Sequence, residues 1–95
     1  METHGIHLDQ FEDVEAFYKS LVPKIRSQPG VKRVEVSVCG TGRVGTYYEF
    51  TSLDAFKEYS GSKFREGIMS EFGSQPWYDD SKEPTEFVAV HQINI

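Results

Sequence analysis

Residues 45–72 read GTYYEFTSLDAFKEYSGSKFREGIMSEF, an alternating run that passes directly into helical spacing. From Val44 to Phe50 aromatic and β-branched residues dominate, which suits a pleated, half-buried surface. Period two places Val44, Thr46, Tyr48 and Phe50 on one face and Gly45, Tyr47 and Glu49 on the other. Thr51-Ser52 carries helix-start chemistry, with Thr51 and Asp54 at capping-box spacing. Leu53, Phe56 and Tyr59 follow at helical steps. Gly61-Ser62 interrupts them, and Phe64, Ile68 and Phe72 resume, so the pattern predicts two short helices or one kinked helix. Gly73 is expected just past the helix end, with Pro76 blocking continuation.

Outward from this unit, Thr3–Leu8 is read as a first strand, with His4, Ile6 and Leu8 on one face and Thr3, Gly5 and His7 on the other. Asp9 is expected to cap a helix, with Glu12 in the reciprocal position. Phe11, Val14, Phe17, Tyr18, Leu21 and Ile25 form its apolar stripe. Pro23 lies inside that stripe and is expected to kink the helix or start another. In Val31–Cys39, Val34, Val36 and Val38 alternate with Arg33, Glu35, Ser37 and Cys39. Gly40-Thr41-Gly42-Arg43 then joins two alternating runs as a hairpin loop. Ser74–Pro84 is a polar connection carrying Trp77-Tyr78, long for a connector. Glu86–Ile95 alternates as a last strand, but both of its faces are apolar enough to bury, so the pattern does not assign Phe87, Ala89, His91 and Ile93 to a layer.

The order β-α-β-β-α-β predicts an α+β fold of ferredoxin-like type: one domain, 1–95, with a four-stranded antiparallel sheet. Right-handed crossovers put the first and third strands in the middle. Both helices cover the face bearing the valine stripe, Tyr48 and Phe50. The other face is mixed, and pairing with a second copy would cover it.

Composition narrows the classes of function. The chain has 95 residues, 10 basic and 15 acidic, for a net charge of −5. It carries no basic stripe, so nucleic acid is not an expected partner. No apolar run approaches a membrane span, and the first residues lack signal-peptide character, so a cytoplasmic protein is expected. A single cysteine, Cys39, leaves no internal disulfide and no cysteine cluster for a metal. His4 and His7 fall on opposite strand faces, so no metal or other cofactor is expected.

A small β-α-β-β-α-β chain whose third strand runs into EFTSLDAFKEY resembles the dimeric α/β-barrel superfamily. That group includes stress-responsive barrel proteins, antibiotic-biosynthesis monooxygenase-like proteins, polyketide cyclases and RedY-like proteins of pigment biosynthesis. The resemblance covers nearly the whole chain and implies a homodimer. It also implies a pocket between sheet and helices for a small aromatic or polyketide-like ligand. In the plant cyclases of the superfamily, a first-strand histidine, a second-helix tyrosine and a following histidine line that pocket. By this resemblance His4 and Tyr59 hold the first two positions. The third departs, because Ser62-Lys63-Phe64-Arg65 stands where the family has His-Pro-x-His. Arg65 stays protonated and is no general base, but it is a fixed donor for an oxyanion.

Other residues carry alternatives. His7 and Glu49 are candidates for an acid/base pair across adjacent strands, or for a dimer contact. Tyr47-Tyr48 and Trp77-Tyr78 can stack on a planar ligand or simply pack. Tyr48 and Trp77 are candidate substrate-binding residues on this ground, and His91, whose layer the alternation leaves open, is a third. His4 is a candidate acid/base, or a solvated residue near the terminus. The function expected from the resemblance is cofactor-independent cyclisation or condensation in secondary metabolism. A non-catalytic ligand-binding or stress-associated dimer and a cofactor-free monooxygenase are the alternatives.

Overall fold

The computed structural model describes residues 1–94. Strand β1 spans Glu2–Gly5, and a 3₁₀ turn at Leu8–Gln10 leads into helix α1, Phe11–Arg26. Strands β2 (Val31–Cys39) and β3 (Arg43–Phe50) form a hairpin; helices α2 (Leu53–Ser60) and α3 (Lys63–Gly73) follow, and β4 is Thr85–Glu86. The four strands make one antiparallel sheet in the order β2-β3-β1-β4. This α+β arrangement, with β1 and β3 in the middle, is compatible with a ferredoxin-like fold.

Period two explains the hairpin. Its register pairs Val34 with Tyr48, Val36 with Thr46 and Val38 with Val44. Val34, Thr46 and Val44 are buried beneath the helices. Arg33, Glu35, Ser37, Cys39 and Tyr47 are exposed on the opposite face, and there Arg33 donates to Glu35 at 2.6 Å. Helix α1 buries Val14, Tyr18, Leu21 and Ile25, while Phe11, placed in the same stripe by spacing, is exposed. Pro23 neither ends α1 nor starts a new helix. Its missing N–H deletes one bond close to the helix end, where the remaining turn still closes.

Local starts and stops differ from expectation by a residue or two. Asp9 lies in the 3₁₀ turn instead of capping α1, whose N-cap, Gln10, makes no side-chain cap bond. Ser52, not Thr51, caps α2 by accepting from the Ala55 N–H at 3.1 Å. Gly73 is the last residue of α3, and Ser74 caps it. The central stretch does form two helices, separated at Gly61-Ser62, with Ser62 accepting from the Arg65 N–H at 3.1 Å.

Two departures matter for the site. Trp77 in the 74–84 connection is 2% exposed and packs edge-on against Phe17 and Phe72, so this segment plugs the core. The last strand is far shorter than its alternation suggested. Thr85 and Glu86 pair with Thr3 and Glu2, and Phe87 exchanges two backbone bonds with Met1 at 2.7 and 2.8 Å. Residues 88–94 run past the end of β1, find no ladder there, and leave Val88, Val90 and Ile93 exposed; Ile95, the last position of the expected strand, lies outside the described residues. Alternation supplies a face, but a strand also needs a neighbour.

Gly30 fixes how the α1–β2 turn meets α2. Its φ is 79°, and a Cβ there would lie 2.5 Å from Ala55 Cβ. Gly30→Ala is expected to destabilise the fold by about 1–3 kcal/mol, through left-handed strain and overpacking together. Urea unfolding measures this; an unchanged midpoint would mean that the turn is not held against α2.

Candidate functional site

The site begins with two residues of β1. Glu2 and His4 are two apart, so both side chains point from the sheet toward the helices. Glu2 is 6% and His4 3% exposed. Tyr48 comes from the same face of β3, and Arg65 from the first turn of α3, whose start is fixed by the Ser62 cap.

These side chains meet. Arg65 Nη1 donates to Glu2 Oε1 at 2.9 Å and to the Tyr48 hydroxyl at 3.3 Å. Arg65 Nη2 pairs with the other oxygen, Glu2 Oε2, making a bidentate clamp. The Tyr48 hydroxyl donates to Glu2 Oε1 at 3.1 Å. Tyr59 stands beside this cluster, its ring 5.7 Å from that of Tyr48 and the Arg65 guanidinium carbon 6.0 Å from its centroid. The Tyr59 hydroxyl is buried without a hydrogen-bond partner among the described residues. Burial pushes the Tyr48 and Tyr59 hydroxyls up from their ordinary value, so both stay protonated donors at neutral pH.

Glu2, Tyr48, Tyr59 and Arg65 form the polar end of a cavity of about 630 Å³. Phe50, Leu53 and Phe56 supply one wall and residues 86–90 another. The rings of Tyr48, Phe50, Phe56 and Tyr59 form a continuous aromatic surface, with neighbouring centroids 5.5–5.8 Å apart.

The expected site residues divide. Tyr48, Tyr59 and Arg65 come together on the cavity. His4 is neither solvated nor among the cavity-lining residues. Its ring stacks on Phe72 at 4.7 Å, and Nε2 lies 3.5 Å from Glu2 Oε2 without a hydrogen bond. Trp77 belongs to the core, and His91 is exposed on the segment after β4. His7 and Glu49 do not meet. β1 pairs Gly5 with Arg43 and Glu2 with Thr46, so His7 lies beyond one end of this ladder and Glu49 beyond the other. Glu49 instead faces Lys32 at 3.4 Å. Among the described residues, no three His, Cys, Asp or Glu side chains group as a metal site, and no helix is long and apolar enough to cross a membrane.

Sequence reasoning missed Glu2, the residue that joins His4 to the cavity. Starting the strand at Thr3 hid it; one more step of period two puts a carboxylate on the face of His4. No family model, curated protein or solved structure matches the chain. The likeness to dimeric α/β-barrel proteins therefore rests on element order and the residues quoted above.

Removing one partner of a mostly buried pair leaves the other charge uncompensated. Arg65→Met is expected to cost about 3 kcal/mol, and adding Glu2→Gln to recover most of it. Chemical denaturation of the two single variants and the double tests this; additive losses would show that the two groups are not coupled.

Burial holds His4 below its ordinary value of 6.5, and Arg65 already compensates the Glu2 charge beside it. The ring is therefore neutral in the fold at pH 7, while the unfolded chain takes up a proton near its ordinary value. Stability is full above that value and falls as pH drops through it toward the lower folded pKa. Unfolding midpoints are expected to decline between about pH 7.5 and 5.5, and His4→Phe to flatten the decline. An equal slope in the variant would remove His4 as its source.

Proposed function

We propose that the chain holds a small aromatic or polyketide-like molecule in the 630 Å³ cavity and promotes proton transfer beside a carbonyl without a cofactor. The observation that carries this reading is an aromatic-walled cavity ending on a buried Glu2–Arg65–Tyr48 cluster and an unpartnered Tyr59 hydroxyl. Buried polar groups converging at the end of an apolar pocket mark a ligand site.

The roles follow from position. Glu2 takes a proton from the carbon next to a ligand carbonyl, and the electron pair moves onto the carbonyl oxygen. Tyr59 donates to that oxygen, and the Arg65 charge stabilises it. His4 backs Glu2 from the core side instead of touching the ligand. Cyclisation or condensation would follow from the enolate so formed. The ferredoxin-like sheet would pair its helix-free face with a second copy, as in the dimeric α/β barrels. The exposed Tyr47 and the apolar segment after Phe87 support that pairing.

A second reading is a non-catalytic, ligand-holding dimer. It is favoured by the close engagement of Arg65 with Glu2, because a clamped carboxylate is a weakened base. One experiment separates the two. Exchange of the α-hydrogens of phenylacetone in deuterated buffer, followed by NMR, is expected to be accelerated by the protein. Glu2→Gln should reduce the acceleration about 100-fold and Tyr59→Phe about tenfold. Ligand-induced shifts with no exchange above buffer would leave the binding dimer standing. Light scattering is expected to give twice the 10.9 kDa chain mass; a monomer would sink the pairing.

A further inference from the structure

We propose that His4 sets the charge of the cavity: with its ring protonated, the cluster at the polar end becomes cationic and takes up an aromatic carboxylate. This rests on the reading of the cavity as a ligand site, but not on its chemistry. Glu2 and Arg65 carry one charge each and hold one another through both oxygens and both terminal nitrogens. Tyr48 and Tyr59 add only neutral hydroxyls, so this end of the cavity is neutral while His4 is. His4 Nε2 lies 3.5 Å from Glu2 Oε2, and neither ring nitrogen has a hydrogen-bond partner among the described residues. A carboxylate offers about four lone-pair sites. Arg65 Nη1 and the Tyr48 hydroxyl use Oε1 and Arg65 Nη2 uses Oε2, which leaves a place on Oε2 for His4. Once protonated, the ring has a charged N–H to give, and Glu2 stands between two cations.

The other groups around the ring leave this change of charge to His4. Phe72 of α3 stacks on it, and Tyr78 of the 74–84 connection has its ring 6.1 Å away. Tyr18 of α1 joins the same block with its ring 5.8 Å from Phe72, and burial pushes its hydroxyl up so that it stays neutral. On β3 the residue opposite His4 is Val44. Asp79 and Lys82 meet β1 at Gly5, on its other face. At the cavity rim the Met1 α-ammonium, which donates to the Phe87 carbonyl at 2.7 Å, stands beside Glu86, while Glu49 pairs with Lys32 at 3.4 Å. Neither sign prevails there. A ligand carboxylate meeting the neutral cluster must take Arg65 from Glu2 and strand a buried charge. With His4 protonated, Glu2 keeps a partner, and Arg65 and the unpartnered Tyr59 hydroxyl can receive the ligand. Its aromatic body then lies on the wall formed by Phe50 and Phe56.

Phenylacetate and its neutral relative phenethyl alcohol test this, titrated into isotopically labelled protein at about pH 7 and about pH 5.5 and followed by NMR at fixed ionic strength. Phenylacetate is expected to bind about fivefold more tightly at the lower pH, and the alcohol equally at both. By reciprocity, phenylacetate should raise the pH at which the His4 ring signals titrate by about 0.7 of a pH unit. That measurement uses the unaltered protein, so it decides the matter even if His4→Phe fails to fold. A folded His4→Phe should hold phenylacetate at the weaker, higher-pH level throughout. A slope that persists in the variant would belong to the Met1 α-ammonium, His7 or His91 and would overturn the role of His4. So would flat phenylacetate binding, or His4 signals indifferent to it, and in each of these cases the cavity still stands as a ligand site. If neither probe binds at either pH, both readings fall.

Discussion

A carboxylate and a guanidinium placed out of water between a central strand and a helix are the costliest feature of this structure, and much of the rest accommodates them. Taking either charge from water costs several kcal/mol, on the order that only bidentate contact and further hydrogen bonds offset. Glu2 receives both, from Arg65 and from Tyr48. That arrangement requires β1 to begin at the cavity, β3 to present Tyr48 in register beside it, and α3 to start where the Ser62 cap sets its first turn. The ladder fixes β1 to β3, and this polar geometry adds α3 to the pair.

The same constraint shapes the cavity. An all-apolar junction between α2, α3 and the sheet would close by side-chain packing. With Glu2 and Arg65 occupying its end, the aromatic residues of α2 and β3 stack against one another and leave space beside them. Further along the same face of β1, His4, Phe72, Trp77 and Phe17 pack as an aromatic block, which seals His4 into the core.

How much of this was legible depended on whether the signal was local. Val34 of β2, the alternation of β3 and most of the stripe of α1 report one-sided burial, and periodicity carries that directly, whereas Val38 and Phe11, at the ends of their stripes, are exposed. The two central helices and their break at Gly61-Ser62 were legible for the same reason. The length of the last strand was not, because alternation in 86–95 resembles a strand whether or not a partner strand lies alongside. Of the residues that meet at the cavity, Tyr59 and Arg65 were expected together only through the resemblance, and Tyr48 through its aromatic ring on the helix-facing side of β3. Glu2 escaped because a lone glutamate beside a terminus carries no pattern of its own. What gives it meaning is Arg65, sixty-three residues away. The proposed His7–Glu49 pair failed on register, which neither residue specifies.

The segment after β4 ties the site to whatever covers the sheet. Residues 87–90 form one wall of the cavity, yet Phe87 and Val90 are 72% and 75% exposed. A wall that is wet on its outer side, and held by backbone bonds among the described residues only as far as Phe87, has little of its own to keep it in place. A second copy seated against this segment would bury its alternate side chains and fix the shape of the cavity in one step. In the proposed dimer, assembly and ligand recognition are then a single equilibrium. A ligand resting on that wall would tighten the pairing, and the pairing would tighten the ligand to the same extent.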